Sequence, residues 1–195
     1  MQGDISYIES EINLFKLNHK NFDIIEDEDK FVLSGLLEID KFGDYEVEID
    51  IPKNYPKVHP VIKETGGDIP KINDRHINGD GTCCIAIKYR ISEYLKEDPS
   101  IINFIEKYVK PYFANQLYFT STGRWINGEY SHGIEGEAEY IAEECNIDID
   151  LSKIFMLLSL KSLVNWNKKC PCGSMKSMKK CHKTYIIKIK KLMYS

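Results

Sequence analysis

The sequence lacks any apolar run long enough to cross a membrane. The longest run, IFMLL at 154–158, is followed by Ser159 and Lys161 and is far short of the ~18 residues that a span needs. The N-terminus, MQGDISYIES, has neither the basic stretch nor the apolar stretch of an export signal. Internal repeats and low-complexity tracts are also missing. From these absences we expect a cytoplasmic protein without membrane contact.

Acidic residues are missing from one end of the chain. All 30 acidic residues lie in residues 1–150, with 15 of the 26 basic ones, whereas residues 151–195 contain 11 lysines and no acidic residue. With 195 residues and 43% hydrophobic content, the chain can form one domain of about 150 residues with a short appendage. We therefore predict a domain over residues 1–150 and a basic tail over residues 151–195.

Hydrophobic periodicity predicts a helix followed by an antiparallel meander. Apolar residues recur at helical spacing near the N-terminus, so one stripe of an opening helix should face the core. That stripe consists of Ile5, Ile8, Ile12 and Phe15. The pattern then alternates with a period of two over residues 31–39 and 45–51, which is typical of strands with one solvated face. The link at 41–44 is short enough for a hairpin, and Val61 begins another predicted strand.

Further helices follow an irregular stretch. Residues 65–82 are rich in Gly, Asn and Asp, which predicts an exposed loop. Asp98 can cap a helix that Pro111 should end or kink, because proline has no N–H. Two more amphipathic helices are predicted, over 134–145 and from about Asp150. The inward residues predicted for the last helix are Leu151, Ile154, Phe155, Leu158 and Leu163. Together with the meander, these helices predict an α+β fold.

The irregular stretch leads into two adjacent cysteines. In an extended backbone, Cys83 would share an apolar side with Ile85 and Ile87. Cys84 would lie on the opposite, less apolar side with Thr82. The pattern therefore predicts an accessible Cys84 and a packed Cys83. A cysteine is more often a small core residue than a nucleophile, so the pair alone leaves both interpretations open.

The order of motifs along residues 1–115 resembles the ubiquitin-conjugating enzymes. In that family, a helix and a meander precede a YP-x-x-x-P turn, an HPN tripeptide and a Gly-x-x-Cys-Leu type of sequence. This chain has YPKVHP at 55–60, HIN at 76–78 and GTCCI at 81–85. The resemblance implies a ubiquitin-conjugating-enzyme-like fold and a cysteine that carries a ubiquitin-like protein as a thioester.

Position by position, the resemblance implies roles for three residues. Cys84 corresponds to the catalytic cysteine, and His76 corresponds to a largely structural histidine. Asn78 corresponds to an asparagine that supports the loop or stabilises the oxyanion, and both roles stay open. The chain departs from the family in having Ile77 in place of a proline, in a shorter spacing from Asn78 to Cys84, and in lacking the Trp that often follows the cysteine.

A second polar segment, WINGEYSHG at 125–133, offers a general base. His132 has a side chain that titrates near neutral pH, so it can deprotonate Cys84 or an incoming amine, with Glu129 orienting it. The alternative is a histidine that bonds only within its own loop. Cys145, at the end of a predicted helix, is expected in the core.

The basic tail contains four residues with the spacing of metal ligands. Two cysteines one residue apart precede an adjacent Cys-His pair, which supplies the N and S ligands of a closed tetrahedral zinc site. The ligands would be Cys170, Cys172, Cys181 and His182. The run is similar to the SEC-C motif of many bacterial proteins and matches it at every ligand. We predict a structural zinc ion whose binding supplies most of the folding energy of this small segment.

The lysines around the zinc motif leave the partner of the tail open. They can contact nucleic acid or anionic lipid, an acidic protein, or the acidic part of the same chain. Nucleic acid is not expected, because aromatic residues such as Trp166 and Tyr185 are not interleaved with the lysines as they are in single-strand binders. We favour a protein partner.

The combined prediction is a conjugating enzyme that transfers a protein C-terminus through a Cys84 thioester to a target amine. The divergence resembles conjugating-enzyme-like proteins of bacterial CBASS antiphage operons, where the family modifies a cGAS-like nucleotidyltransferase. By analogy, such a nucleotidyltransferase is the expected modifier partner. An adenylating domain does not fit in 195 residues, so either a separate enzyme activates the modifier or the thioester forms in an unusual way. Two alternatives stay open: an inactive scaffold that recruits partners through the zinc tail, and a thiol hydrolase that uses Cys84 and His132.

Overall fold

The computed structural model describes residues 5–40, 43–126, 130–160 and 164–194. Contacts divide the chain into two compact units, Met1–Gly128 and Glu129–Ser195. This division lies earlier than the expected boundary at residue 150, because residue 150 lies within a helix, Ile149–Ser159, that packs against the preceding helix. In the described ranges, no helix is both long and apolar enough to cross a membrane.

The first unit is built on a four-stranded antiparallel sheet. Its elements are helix α1 (Ile5–Asn18) and strands β1 (Phe22–Glu26), β2 (Lys30–Ile39), β3 (Gly43–Pro52) and β4 (Val61–Glu64). The strands lie side by side in chain order, and β2 pairs with β3 along its full length, from Lys30 opposite Pro52 to Ile39 opposite Gly43. The predicted meander and its hairpin are confirmed.

Alternation along β2 and β3 places one face of the sheet in the core. The buried residues are Phe31, Leu33, Leu37 and Ile39 in β2, and Tyr45, Val47, Ile49 and Ile51 in β3. Helix α1 adds Ile8, Ile12 and Phe15 to the same core. Ile5, the first residue of the helix, is 51% exposed, so the predicted stripe is wrong at that position and begins one turn later.

Two helices complete the first unit after the long loop. Helix α2 (Lys88–Glu97) is not predicted from the sequence. Its N-cap is Ile87, which has no capping side chain, and its few apolar residues are separated by charged ones. Helix α3 consists of three consecutive segments. These are Ile101–Phe104, a π-helical turn at Ile105–Val109, and Lys110–Thr122. Both helices contribute buried side chains to the core behind the sheet.

Of the two outcomes expected at Pro111, an end or a kink of the helix, the first is wrong, because α3 continues through the proline. In the π-helical turn, the N–H of Lys110 donates to the carbonyl of Ile105, five residues back instead of four. Because proline has no N–H, this wider turn completes the backbone bonding just before the proline, and the helix then continues. At the N-terminus, the cap is Ser100, and Asp98 instead accepts a hydrogen bond from the Ser100 N–H at 3.1 Å.

The described residues of the second unit form three α-helices and a short 3-10 helix, Met178–Lys180. The α-helices are α4 (Ile134–Cys145), α5 (Ile149–Ser159) and α6 (Lys183–Met193), with an otherwise irregular segment over 164–182. Helices α4 and α5 confirm the two predicted ones, and Cys145 is buried as expected.

The buried face of α5 differs from the predicted stripe. Ile154 is 38% exposed, whereas the buried residues are Ser152, Phe155, Met156 and Ser159. The two serines are tolerated because their hydroxyls donate to backbone carbonyls, Ser152 to Ala138 and Ser159 to Phe155, each at 2.7 Å. Leu163, also expected inside, lies outside the described residues.

Candidate active site and metal centre

The Cys84 loop, residues 76–84, is tied to strand β4. The N–H of Cys83 donates to the carbonyl of Ile62 at 2.8 Å, and Thr82 forms a backbone bridge with Lys63. Thr82 and Cys83 of the loop therefore pair with β4 at the edge of the sheet. This contact fixes the position of the cysteine pair relative to the core.

Inside the loop, the backbone folds back on itself as a tight hairpin. The N–H of Cys84 donates to the carbonyl of His76 at 2.8 Å, and the N–H of Asn78 donates to the carbonyl of Thr82 at 2.9 Å. Gly81, at the turn, has a φ of 87°, which a residue with a side chain adopts only with strain. The hairpin therefore brings the side chains of Asn78 and Cys84 to the same side.

A chain of side-chain hydrogen bonds runs across this hairpin. The Asn78 amide nitrogen Nδ2 lies 2.8 Å from Thr82 Oγ1, which in turn lies 2.7 Å from Asp80 Oδ1. Asp80 Oδ1 also accepts from the Thr82 N–H at 3.0 Å. The same Asn78 nitrogen lies 3.7 Å from the sulfur of Cys84. Within the described residues, Asn78 is the hydrogen-bond partner of this sulfur, so its amide is the polar group positioned to act on chemistry there.

The two cysteines have different environments, as predicted. Cys84 is exposed, whereas Cys83 is partly buried and its sulfur faces the Gly81 carbonyl at 3.9 Å. Burial raises the pKa of Cys83 to about 12. The pKa of Cys84 is also raised, chiefly by loss of water around the sulfur and further by the charge of Asp80, while the bond from Asn78 opposes the rise. Cys84 is thus accessible but protonated at neutral pH, and a proton acceptor is needed to activate it.

A buried polar network lies beneath the loop. The guanidinium of Arg75 donates to Gln116 Oε1 at 2.9 Å and to Thr120 Oγ1 at 2.8 Å, both on α3. Gln116 Nε2 returns a bond to the Arg75 carbonyl at 2.6 Å, and the hydroxyl of Tyr112 lies 3.2 Å from the carbonyls of Arg75 and His76. The loop at residues 75–76 is therefore held by α3 from below.

His76 occupies the position expected for a structural residue. Its backbone has a positive φ of 51°, and its ring packs edge-on against Trp125 with 5.1 Å between centroids. Its carbonyl accepts the N–H of Cys84, so the residue supports the loop through its main chain.

His132 belongs to the second unit, whereas Cys84 belongs to the first. His132 is exposed and precedes Gly133, which begins α4 with a φ of 64°. The neighbouring Ser131 hydroxyl donates to Glu139 at 2.6 Å, so this segment is tied to its own helix. Glu129 lies outside the described residues. The pairing of His132 with Cys84 stays a prediction.

The second unit brings the four predicted metal ligands together. The sulfur of Cys170 lies 3.2 Å from His182 Nδ1, the sulfurs of Cys172 and Cys181 are 3.5 Å apart, and Cys181 lies 3.2 Å from His182 Nδ1. All four ligand atoms lie within 4.8 Å of one another, and no other Cys, His, Asp or Glu group in the described ranges meets this criterion. We call these four residues the Cys/His cluster.

Short backbone contacts shape the segment around the cluster. The N–H of Cys170 donates to the carbonyl of Lys176 at 2.8 Å, and a bridge joins Lys169 to Ser177. Gly173, between the ligand cysteines and this bridge, has a φ of 79°. The segment at residues 164–182, which we call the knuckle, therefore turns tightly around the Cys/His cluster. Hydrogen bonds from Ser174 lower the pKa of Cys172, which favours the thiolate form that binds metals.

Two residues of the Cys84 loop, Asp80 and Thr82, are not singled out from the sequence as site residues. Their signal is the Asp-x-Thr spacing, because an aspartate often accepts the N–H two residues ahead of it. The Arg75–Gln116 contact has no comparable local signal, since its partners are 41 positions apart in the chain.

Comparisons of the chain with protein-family models, with curated proteins and with solved structures found no match. No comparison identifies the class of protein, so the class is inferred from the two sites described above.

Proposed function

We propose that the first unit is a ubiquitin-conjugating-type domain that carries a protein C-terminus as a thioester on Cys84 and transfers it to an amine, usually of a lysine. The observation that carries this proposal is the exposed Cys84 with the Asn78 amide nitrogen 3.7 Å from its sulfur, beside a Cys83 that is partly buried. An accessible sulfur with an amide donor next to it suits acyl transfer.

The reaction has two balanced steps. The deprotonated sulfur of Cys84 attacks the carbonyl carbon of a thioester donor, and the donor thiolate leaves and takes up a proton. The target amine then attacks the new thioester, the carbon–sulfur bond breaks, the amine loses a proton, and the sulfur of Cys84 regains one. Each step passes through a tetrahedral oxyanion, which the Asn78 amide is placed to stabilise.

The order of elements supports a ubiquitin-conjugating-like fold. A helix, a four-stranded meander and a cysteine loop followed by helices match the order that the motif resemblance implies. Ile77, which stands where the family has proline, is buried and gives its N–H to the carbonyl of Ile72 at 3.4 Å. A proline has no N–H to make this bond.

We propose that the Cys/His cluster binds a structural zinc ion. Tetrahedral zinc with bonds of about 2.3 Å to sulfur and 2.0–2.1 Å to nitrogen spaces its ligands about 3.5–3.8 Å apart. The observed separations of 3.2 and 3.5 Å are close to that spacing, and three sulfurs with one imidazole are a donor set that zinc favours.

The lysines around the cluster favour an acidic protein partner bound through charge. Residues 164–194 contain nine lysines and no acidic residue. Binding should weaken with added salt, because exposed charges are screened over about 8 Å at physiological ionic strength. By analogy with the CBASS operons, the modifier would be a cGAS-like nucleotidyltransferase in antiphage defence, charged by a separate activating enzyme in the cytoplasm.

The test uses the full-length protein and a synthetic peptide with a C-terminal glycine thioester. We expect intact mass measurement to show one acyl adduct that a reducing thiol removes. Added free lysine should discharge the adduct faster than water does. Cys84→Ala should abolish the adduct and Cys83→Ala should retain it.

Three results would overturn the proposal. An adduct that survives Cys84→Ala contradicts the nucleophile. Release of the peptide acid faster than lysine captures it indicates a thiol hydrolase. A parent protein that forms no more adduct than Cys84→Ala is an inactive scaffold.

A further inference from the structure

We propose that Asp80 and Thr82 are positioning residues, which hold the Asn78 amide with its N–H groups toward Cys84 and the oxyanion of acyl transfer. This inference rests on the proposed function. It adds to it two residues that never contact the substrate themselves, and it follows from the direction of three hydrogen bonds.

The direction of these hydrogen bonds is set by Asp80. Hydrogen bonds from Thr82 lower the pKa of the Asp80 carboxyl, so it is ionised at neutral pH and can only accept. The contact of 2.7 Å between Asp80 Oδ1 and Thr82 Oγ1 needs one hydrogen between the two oxygens. The Thr82 hydroxyl has a single hydrogen, and that hydrogen is therefore committed to Asp80.

The orientation of the amide follows. With its hydrogen committed, Thr82 Oγ1 can only accept from Asn78, so the group at 2.8 Å must be the amide nitrogen and not the amide oxygen. The same nitrogen lies 3.7 Å from Cys84 Sγ. An NH₂ group has two hydrogens, so one serves Thr82 while the other stays directed toward the sulfur side.

The position suits an oxyanion. In the tetrahedral intermediate, the oxyanion is attached to the carbon bonded to Cys84 Sγ, and donors for such an oxygen lie about 2.7–3.1 Å from it. The oxyanion is two bonds away from the sulfur, so a donor nitrogen 3.7 Å from the sulfur is near enough for the oxyanion to come within that range. The opposite amide orientation would face the oxyanion with a carbonyl oxygen, which repels it.

The backbone prevents Asp80 from turning away. Its Oδ1 also accepts the Thr82 N–H at 3.0 Å, and the Gly81 N–H donates to the Asn78 carbonyl at 2.9 Å. We call the hydrogen bonds from Asn78 to Thr82 and from Thr82 to Asp80 the relay. The turn that carries Asp80 is thus closed by backbone bonds of the same short segment that forms the relay.

The test compares Thr82→Val, which keeps the branched shape and removes the hydroxyl, with Thr82→Ser, which keeps the hydroxyl. Two rates are measured on the full-length protein over a range of pH. Each rate is divided by the fraction of Cys84 that is thiolate at that pH. One is acylation of Cys84 by the peptide glycine thioester, which forms an oxyanion. The other is alkylation of Cys84 by iodoacetamide, a direct displacement that forms none.

We expect Thr82→Val to slow acylation about tenfold, less than the ~100-fold loss typical for deletion of an oxyanion donor. Its alkylation should stay within about twofold of the parent, since alkylation has no oxyanion to stabilise. Thr82→Ser should restore acylation to near the parent rate. Asp80→Asn should give a smaller loss than Thr82→Val, because its amide can accept the same bonds but no longer forces their direction.

The outcomes separate this inference from the proposed function. If the parent protein is not acylated at Cys84, the proposed function fails. If the parent is acylated and Thr82→Val is acylated equally fast, only the relay is refuted. Parallel loss of both rates in Thr82→Val would also refute the relay, since it would indicate a change in the loop or the thiol instead. The NMR signals of the Asn78 side-chain amide, compared between Thr82→Val and Thr82→Ser, report its orientation without any acyl donor.

Discussion

The Cys84 loop and the Cys/His cluster both turn at a glycine with positive φ, Gly81 at 87° and Gly173 at 79°, yet they surround their sulfur atoms with different groups. In the loop, a single exposed sulfur faces an amide, and hydrogen bonds to the sheet and to α3 hold the backbone. In the cluster, three sulfurs and an imidazole face one another within 4.8 Å, and the buried residues of the segment 164–182 are Cys170 and Met178.

The difference shows what decides the chemistry of a cysteine. A single thiol beside a hydrogen-bond donor, on a backbone held by the hydrophobic core, is available for reaction. Its position does not depend on a bond to the sulfur. Thiols gathered at contact distance repel once they ionise, so they need a cation to hold them together. The loop should therefore stay folded without its sulfur, whereas the knuckle should not.

Loss of one cluster ligand should have the largest effect. We expect about one zinc per purified chain, and its complete loss in Cys172→Ser, because a tetrahedral site does not tolerate removal of a thiolate. Elemental analysis gives the metal content, and amide exchange over residues 164–182 should show loss of protection. Cys145→Ala, which changes a cysteine of the same unit outside the cluster, should keep the zinc. A metal-free parent protein with a protected knuckle would contradict this.

The two neighbouring cysteines of the loop should differ by about 100-fold or more in alkylation at pH 9, since only the thiolate reacts. The pKa of Cys83 is about 12, so it stays protonated there. The rate at Cys84 should rise with pH to a midpoint above the ordinary thiol value, because its pKa is raised. Peptide mapping after brief iodoacetamide treatment separates the two sites. In urea both should react alike, and a difference that persists there would rule out the fold as its cause.

If His132 is the general base for Cys84, as the sequence predicts, His132→Ala should slow discharge of the Cys84 thioester to lysine by about 100-fold and slow its formation less. Single-turnover rates for the two steps measure this. Added imidazole should restore discharge if a base has been removed. Equal slowing of both steps without imidazole rescue would assign His132 a structural role in its own unit.

The smallest expected effect concerns the support beneath the loop. Gln116→Ala should lower the free energy of unfolding by about 2 kcal/mol, because it removes one hydrogen bond from the buried Arg75 guanidinium and one from the Arg75 carbonyl. Ser121→Ala, on the exposed side of the same helix, should change it by less than about 0.5 kcal/mol. Urea titration of both variants tests the contrast. Equal stabilities would mean that α3 does not hold the loop through Gln116.

Features governed by local spacing can be predicted from this sequence. The alternation in β2 and β3 predicts the sheet face, because the side-chain period of a strand is fixed. The same rule separates Cys83 from Cys84. The four cluster ligands are recognisable because they lie within 13 residues, Cys170 to His182.

Features that depend on distant partners cannot be predicted in the same way. The sequence places Arg75 in a polar loop, where an exposed side chain is expected. In the structure Arg75 is 9% exposed, because Gln116 and Thr120 of α3 supply acceptors for its guanidinium. The outward position of Ile154 arises likewise, since the buried Ser152 of α5 finds a carbonyl partner, Ala138, on α4, which a hydrophobic pattern does not reveal.

The π-helical turn at Ile105–Val109 also sets the angular phase of everything that follows it in α3. One residue of an α-helix advances the side-chain direction by about 100°, so a turn that holds an extra residue rotates the second half of the helix by that amount. Tyr112, Gln116 and Thr120 all lie after the turn and all bond to residues 75–76. The wide turn therefore sets which side chains of the second half of α3 face residues 75–76, while Phe113 of the same half still packs in the core.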